Sequence, residues 1–230
     1  VCRYIRRFGK PDLIHAHFGV WAGYAANQIR ERYGIPYVIT EHASSITGDN
    51  ILPWQRKVYA STYDHARKVI CVGTLLASKL QSLVNDPGKI IVIPNFVNTA
   101  VFCPSTHVKE KEKQFTFISV ANLNKRKGFN DLLTAFSRAF KDHSHVSLII
   151  AGDGEESETL ISKTRELGLE NQVTFTGRLS REDLAKQLAV SDAFVLASYA
   201  ETFGIVFIEA MATGIPAIGT VCGGPEDIIT

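Results

Sequence analysis

The chain has 230 residues, of which 45% are hydrophobic, so it can bury a sizeable core, and its composition excludes a disordered chain. The formal net charge is +2. However, residues 1–105 carry 12 Lys and Arg against 6 Asp and Glu, a net of +6, and residues 106–230 carry 13 against 17, a net of −4. This asymmetry indicates either an anionic partner of the basic half, such as membrane lipid or a phosphate-bearing substrate, or ordinary variation between two domains.

Strand-like apolar runs alternate with helical stretches along the first half, which is the pattern of parallel α/β units. Residues 1–8 indicate the end of a helix. The elements predicted after it are a strand at 12–16, a helix at 20–32, a strand at 36–40, a helix at 53–65, a strand at 68–72, a helix at 74–84 and a strand at 89–93.

A polar and charged segment over 104–114 lacks apolar periodicity and predicts a linker. The second half then gives strands at 115–120, 146–151, 173–175 and 193–198, and helices at 129–140, 155–167, 180–190 and after Glu201. The pattern predicts two open α/β sheets, one domain over 1–104 and one over 105–230, with ligands in a cleft between the carboxyl ends of both. Because the chain starts and stops within helix-like segments, we expect a fragment in which both domains are truncated.

The four cysteines, Cys2, Cys71, Cys103 and Cys222, are widely separated and form no C-x-x-C pair, which favours a reducing cytoplasm. The sequence contains neither an apolar run of the roughly 18 residues that span a bilayer nor a signal peptide. Any contact with a membrane is therefore expected to be peripheral.

Two carboxylates, Glu201 and Glu209, bracket the start of the last predicted helix, directly after a strand. Apolar residues recur at helical spacing between and after them, and Gly204 lets a ligand approach the backbone. The free N–H groups of the helix start and the two carboxylates suit the hydroxyl groups of a polyol. The alternative is an ordinary solvated helix face.

The loop after the strand at 115–120 contains Lys125, Arg126, Lys127 and Gly128 at the start of a helix. Cations and a backbone exposed by glycine can bind phosphate oxygens, so the loop is a candidate phosphate cradle. The alternative is a solvated surface run.

Histidines follow two strands of the first half. His15 and His17 alternate on one face of a strand, and without a carboxylate or cysteine at ligand spacing beside them we expect no zinc site. His42, at the next strand end, is a second candidate for the cleft or a loop histidine with local hydrogen bonds.

Seven motifs, in order, resemble those of a large family, the retaining nucleotide-sugar glycosyltransferases of the GT-B fold. They are DLIHAH at 12–17, IPNFVN at 93–98 with Phe102, RKG at 126–128, AGDG at 151–154, VTFTG at 173–177, Glu-x7-Glu at 201–209 and GGPE at 223–226. The resemblance spans nearly the whole chain. It implies two Rossmann-like domains, the acceptor side in the first and the nucleotide-sugar donor site in the second.

For the donor, the resemblance implies that Arg126 and Lys127 bind the diphosphate, where cations stabilise the charge of the leaving group. Glu209 would accept the ribose hydroxyls. Arg178 and Leu179 would flank the nucleobase.

At the reacting centre, the resemblance implies that Glu201 and the backbone N–H groups around Thr202, Phe203 and Gly204 hold the hydroxyls of the donor sugar. His17 would reach across the cleft from the first domain to help position the anomeric carbon. The expected catalytic residues are thus His17, Glu201 and Lys127.

The chain departs from the family at two motifs. Ala121 and Asn122 stand where relatives often have Gly-Arg, so phosphate affinity is expected to depend on Arg126. Phe96 replaces a glycine of the Pro-Asn-Gly-Val-Asp turn. The family's N-terminal glycine-rich loop and C-terminal helix are absent from this sequence, so this piece alone is expected to be inactive.

The resulting prediction is transfer of a sugar from a nucleoside-diphosphate-sugar to an acceptor hydroxyl with retention, in polysaccharide, lipopolysaccharide or glycolipid synthesis. The donor phosphate itself would take the acceptor proton, and neither a metal nor a cofactor is expected. The acceptor would be a glycan or a lipid-linked molecule, and the basic first half would contact anionic membrane peripherally.

The same residues bear on other function classes. A dinucleotide-dependent oxidoreductase fails because Gly152-Asp-Gly154 continues as Glu155-Glu156 and not as G-x-G-x-x-G. A non-catalytic sugar-nucleotide or glycan binder stays open, although the presence of His17 and Lys127 favours an enzyme. No nucleic-acid partner is expected, because the charged stretches lack interleaved aromatic residues.

Overall fold

The computed structural model describes residues 2–48, 50–105 and 114–229, and the chain divides into two compact units. The first unit comprises Val1–Asn95 with Glu201–Phe203, and the second comprises Phe96–Ala200 with Gly204–Thr230. The predicted linker lies largely outside the described residues, and the domain boundary at 104 and 105 stays a prediction. No helix in the described ranges is both long enough and apolar enough to cross a membrane.

The first unit is built on a parallel sheet in the order β1-β2-β3-β4. Its strands are β1 (Ile14–His17), β2 (Tyr37–Glu41), β3 (Val69–Cys71) and β4 (Ile90–Val92). Its helices are α1 (Cys2–Phe8), α2 (Tyr24–Tyr33), α3 (Ser44–Thr47), α4 (Pro53–His65) and α5 (Thr74–Gln81). Parallel strands need a crossover, which a helix supplies, and Ile39 and Val69 of the central strands are fully buried.

The predicted helix at 20–32 begins differently from the expectation. Residues Gly19–Gly23 form a π-helix, in which the Gly23 N–H donates to the Phe18 carbonyl at 2.9 Å, and α2 continues from Tyr24. The reason is close packing on α4, because a Cβ on Gly19 would lie 2.7 Å from the Tyr63 ring. Such single-turn π segments are frequent at functional sites.

The second unit contains a parallel sheet in the order β7-β6-β5-β8-β9. Its strands are β5 (Phe115–Val120), β6 (Val146–Ala151), β7 (Val173–Gly177), β8 (Ala193–Leu196) and β9 (Ala217–Gly219). Its helices are α6 (Phe129–Phe140), α7 (Ser157–Glu166), α8 (Arg181–Val190) and α9 (Ile205–Ala212), with 3-10 turns at Lys125–Lys127 and Pro225–Asp227.

The strand order of the second sheet reverses at β5, which pairs with β6 on one side and β8 on the other. Ligands of open α/β sheets bind outside the carboxyl ends of the strands at such a switch point. Fully buried side chains such as Ile118, Phe194 and Phe207 fill the core beneath it, and burying each contributes about 1.5–3 kcal/mol. The core thus supports the sheet edge where a site is expected.

The predicted α/β class with parallel sheets is confirmed. The bounds of α4, α6, β5 and β6 are those predicted, whereas α3 and β9 were not foreseen. β8 ends at Leu196, two residues earlier than predicted. The residues that follow leave the sheet and contact the loop after β5, because the Tyr199 N–H donates to the Arg126 carbonyl at 2.9 Å.

Candidate functional site

The loop that contains the expected phosphate-binding cations lies at the switch point of the second sheet. Lys125–Lys127 form one 3-10 turn, and Gly128 follows with φ of 65°. A Cβ on Gly128 would lie 1.9 Å from the Ala197 carbonyl oxygen, so only glycine lets the loops after β5 and β8 come this close. The contact fixes the backbone from which Arg126 and Lys127 extend.

A side-chain hydrogen bond joins the same two segments a second time. The Tyr199 hydroxyl donates to Asp131 Oδ2 at 2.8 Å, from the loop after β8 to the first turn of α6. This hydrogen bond raises the pKa of Tyr199, because the phenol must keep its proton to donate it. Arg126 is exposed beside it and Lys127 is half-buried. The arrangement presents positive charge at a fixed place outside the strand ends.

A cavity of about 320 Å³ opens beside this loop, at the carboxyl ends of β5, β6 and β7. It is lined by Asn122, Leu123, Asn124, Asp153, Gly154, Glu155 and Arg178. Its volume lies at the lower end of the range of small-molecule sites. The predicted Arg178 is therefore at the cavity, and Leu179 follows it, half-buried.

The cavity wall is fixed by backbone hydrogen bonds and offers polar atoms to a ligand. The Leu123 N–H donates to the Asp153 carbonyl at 2.9 Å, and the Glu156 N–H donates to the Leu123 carbonyl at 2.9 Å. No hydrogen-bond partner for the buried Asn124 Oδ1 is found in the described parts of the chain. A buried acceptor of this kind suits a ligand N–H or hydroxyl group. Asp153 belongs to the AGDG motif, but no ligand role was predicted for it or for Asn124.

The last predicted motif forms the start of α9. Gly204 has φ of 89° and precedes the helix, whose Phe207 is fully buried against Phe194 at a ring-centroid distance of 5.0 Å. Glu201 and Phe203 are buried and Thr202 is half-buried in the turn before it. A buried carboxylate needs polar partners, so Glu201 is not part of a solvated face.

Glu209 lies one helical turn further on and is partnered. The guanidinium of Arg181, at the start of α8, lies 3.7 Å from Glu209 Oε1, and it also stands over the buried Phe102 ring at 5.3 Å from the centroid. Burial raises the pKa of Glu209, whereas Arg181 lowers it. Phe102 was noted in a motif, but the role of Arg181 was missed, since nothing in its local sequence distinguishes it from other surface arginines.

In the first unit, three histidines lie at the carboxyl ends of β1 and β2. His17 Nδ1 and His42 Nε2 are 3.0 Å apart, so one ring donates an N–H to the other, and His15 Nε2 lies 2.7 Å from Thr40 Oγ1. The rings of His15 and His17 stack at 4.7 Å, and those of His17 and His42 stack at 5.3 Å. Both histidines of β1 are exposed on one face, as their spacing predicts.

The electrostatics around His42 favour a neutral imidazole at this residue. The pKa of His42 is lowered by burial and then by the nearby His17, and the Glu41 carboxylate opposes this effect. Among the described residues, no group of three or more His, Cys, Asp or Glu side chains is arranged to hold a metal ion.

Glu41 is a functional candidate that sequence analysis missed. It ends β2, is fully buried, and accepts hydrogen bonds from the N–H groups of Gly19, His42 and Ala43 and from the Tyr63 hydroxyl, at 2.6–2.8 Å. Burial and then Glu41 raise the pKa of Tyr63, so the phenol stays a donor. The available signal was a glutamate directly before His42 at a strand end.

The structure thus groups the predicted residues at several sheet ends. Arg126, Lys127 and Arg178 lie at the carboxyl ends of the second sheet, and Glu209 is on α9 of the same unit. His17 and the segment Glu201–Phe203 belong to the first unit.

Comparison with known proteins gives two family matches. The model described as "Glycosyl transferases group 1" matches residues 105–230, and the model described as "Glycosyltransferase Family 4" matches residues 1–101.

Individual relatives cover almost all of this chain. It is 29% identical over 226 residues to the N-acetyl-alpha-D-glucosaminyl L-malate synthase of Bacillus anthracis, covering 95% of this chain and 58% of that protein. It is 29% identical over 236 residues to the D-inositol 3-phosphate glycosyltransferase of Mycobacterium sp. (strain KMS), covering 94% and 53%. The chain therefore spans a little more than half the length of these relatives.

Among solved structures, Anabaena Alr3699/HepE in complex with UDP and glucose superposes with a TM-score of 0.84 at 22% identity, covering 100% of this chain and 64% of that one. The likeness shows the fold, and the prediction of a GT-B fold with two Rossmann-like domains is confirmed.

Proposed function

Because this chain belongs to the glycosyl transferase group 1 family, we propose that the protein transfers a sugar from a nucleoside-diphosphate-sugar to an acceptor hydroxyl. The proposal extends to retention of the anomeric configuration and to a place in polysaccharide, lipopolysaccharide or glycolipid synthesis. Solved relatives with bound UDP or UDP-glucose support a nucleotide-sugar as the donor.

The observation that carries the proposal is the fixed cationic loop at the switch point of the second sheet. The Gly128–Ala197 contact and the Tyr199–Asp131 hydrogen bond hold the backbone of this loop in place. Cations that are already in place stabilise the negative charge that develops on a diphosphate leaving group, without rearrangement during the reaction. Lys127 and Arg126 would fill this role.

We also propose the remaining donor contacts. The nucleobase would occupy the cavity beside Arg178 and Leu179, and Glu209 would accept the ribose hydroxyls. Glu201 and the backbone around Thr202, Phe203 and Gly204 would hold the sugar hydroxyls. Orientation of the reacting groups supplies much of the rate in such a reaction.

The proposed chemistry uses the donor's own diphosphate oxygen to take the proton of the acceptor hydroxyl as the new glycosidic bond forms. The bond between the anomeric carbon and the diphosphate oxygen breaks, and the nucleoside diphosphate leaves on the same face. His17 would position the anomeric centre. We propose that this transfer requires no metal, and that it takes place at the cytoplasmic side of a membrane, with a glycan or lipid-linked acceptor.

The test is thermal unfolding of the natural protein that contains this sequence, with UDP-glucose, UDP-N-acetylglucosamine, GDP-mannose and ADP-glucose. A donor at about 100 times its dissociation constant stabilises by about 2.7 kcal/mol, which is visible as several degrees. Lys127→Ala should abolish most of the shift and lower turnover about 100- to 1000-fold, because it removes a charge that stabilises the leaving group.

Lys141→Ala is the control, since Lys141 is an exposed lysine at the end of α6, outside the cationic loop. It should keep both the shift and the turnover. The melting temperature of Lys127→Ala is also measured without donor. If it falls in proportion to the loss of turnover, the lysine is structural and the proposal fails at this residue. If no nucleotide-sugar shifts the wild-type protein, the transferase proposal itself is wrong.

A further inference from the structure

Glu41 connects three segments of the first unit through one buried carboxylate. Within the described residues, its Oε1 accepts the N–H groups of His42 and Ala43, both at 2.8 Å. Its Oε2 accepts the Gly19 N–H at 2.8 Å and the Tyr63 hydroxyl at 2.6 Å. The donors come from the loop after β1, the loop after β2 and helix α4. The carboxylate therefore fixes both loops relative to each other.

A carboxylate suits this position better than any uncharged side chain. The donors converge on both oxygens, and a carboxylate offers acceptor lone pairs on each. A glutamine would turn its NH₂ group toward one of the two donor pairs. It would leave at least one buried N–H unsatisfied, which costs more than an ordinary lost hydrogen bond. The donors of the two loops and of α4 thus require an acceptor at both ends of this side chain.

The loops that Glu41 fixes adjoin the stacked histidines, because His42 lies in the loop after β2 and His17 is the last residue of β1. The His42 N–H is one of its donors, and the His42 ring is 3.0 Å from Nδ1 of His17 at the end of β1. Because this contact occupies Nδ1, Nε2 is the nitrogen of His17 that stays outside the pair. Glu41 is therefore linked to the His17 ring through the backbone and the ring of His42.

We propose that Glu41 is a positioning residue of the transferase, which acts through His42 to orient the imidazole of His17 toward the reacting sugar. This inference rests on the proposed function, because the contact of His17 with the donor sugar is itself part of that proposal. Glu41 itself is fully buried, so in this proposal it acts through its neighbours and not by contact with substrate.

A purely structural role makes a different prediction. The buried Tyr37 hydroxyl donates to the Thr62 carbonyl at 2.5 Å, also between β2 and α4, without contacting Glu41 or the histidines. Tyr37→Phe should therefore lower the melting temperature of the first unit and keep turnover within about twofold of wild type. It is the matched control for a change that disturbs only packing between β2 and α4.

The experiment compares Glu41→Gln, His42→Ala, the double variant, His17→Ala and Tyr37→Phe in the natural protein. The readouts are kcat and KM for release of nucleoside diphosphate from the nucleotide-sugar chosen by the thermal panel. Glu41→Gln should lower kcat about 10- to 100-fold with little change in donor KM, since small misplacement of a reacting group has effects of this size. In the His42→Ala background, Glu41→Gln should lower kcat by less than about threefold more.

The inference is overturned if Glu41→Gln retains wild-type kcat. It is also overturned if the fold-losses of kcat in Glu41→Gln and His42→Ala multiply in the double variant, or if Tyr37→Phe loses as much kcat as Glu41→Gln. Two other results contradict the proposed function, and the inference falls with it. They are a His17→Ala variant with wild-type kcat and a wild-type protein that releases no nucleoside diphosphate. Low kcat in Glu41→Gln, His42→Ala and the double variant alike, with Tyr37→Phe active, supports the positioning role.

Discussion

Glu209 shows how neighbouring groups prepare one side chain for a ligand. It is 13% exposed in its side chain, and its partner Arg181 is 56% exposed. Because burial raises the pKa of Glu209 and Arg181 lowers it, the ion pair helps to keep the carboxylate ionised. An exposed arginine contributes little to stability through such a pair, so its main effect is on the charge of Glu209.

We predict that donor affinity falls as pH drops through the pKa of Glu209, because the protonated carboxyl loses acceptor capacity for the ribose hydroxyls. The loss should be about tenfold, as expected for a hydrogen bond to a charged group. Arg181→Met removes the group that lowers this pKa, so the fall in affinity should begin at a higher pH. Calorimetric titration with the donor across the acidic range measures both curves.

The control for this experiment is Lys186→Met on the same helix. Lys186 pairs with the exposed Asp183 at 3.3 Å and leaves Glu209 unchanged. Its affinity curve should coincide with that of wild type. The role of Arg181 would be contradicted if the midpoint pH of the affinity curve in Arg181→Met equals that of wild type or is lower.

At the scale of elements, the second unit depends on the contact between the loops after β5 and β8. Gly128 and Gly177 have nearly the same backbone, with φ of 65° and 69°, but different surroundings. An added Cβ would meet the Ala197 carbonyl oxygen at Gly128, and nothing within 4 Å at Gly177. The pair therefore separates the effect of backbone conformation from that of loop packing.

Gly177→Ala should cost about 1–2 kcal/mol of unfolding free energy, the usual effect of a left-handed conformation on a residue with a Cβ. Gly128→Ala should cost more than about 3 kcal/mol, because the loop must also move away from Ala197, and it should weaken donor binding. Denaturant unfolding of both variants measures the difference. Equal losses would show that the contact between the two loops adds nothing to stability.

The whole molecule combines a basic first half with an acidic second half, and this asymmetry bears on where it works. The net charge of +6 over residues 1–105 includes Arg6 and Arg7, which are exposed in the last turn of α1. Basic residues near an anionic lipid surface each contribute about 1 kcal/mol to binding. The effect is screened by salt over about 10 Å at 0.1 M ionic strength.

We predict that the natural protein binds vesicles of phosphatidylcholine with phosphatidylserine more tightly than pure phosphatidylcholine, and that salt weakens this binding. The double variant Arg6→Glu and Arg7→Glu should reduce binding about tenfold or more, given about 1 kcal/mol per basic residue. Vesicle cosedimentation measures it, with Arg165→Glu on α7 as the control. Binding that is independent of salt and lipid charge would favour a soluble acceptor.

The sequence alone indicated the family and determined several of the local elements. Apolar periodicity located β5, β6, α4 and α6 with their observed bounds, because periods of 2 and 3.6 residues are properties of consecutive residues. The glycine and cations at 125–128 could also be recognised, since a strand end, a basic run and a glycine adjoin in the chain.

Only the tertiary structure decided how distant residues meet. Tyr63 and Gly19 reach Glu41 across 22 positions of sequence in either direction, and the π-helix at Gly19–Gly23 follows from the packing of Gly19 on Tyr63. Arg181 meets Glu209 only because α8 and α9 are neighbours. Such contacts depend on strand register and helix packing, which the local pattern of apolar residues does not specify.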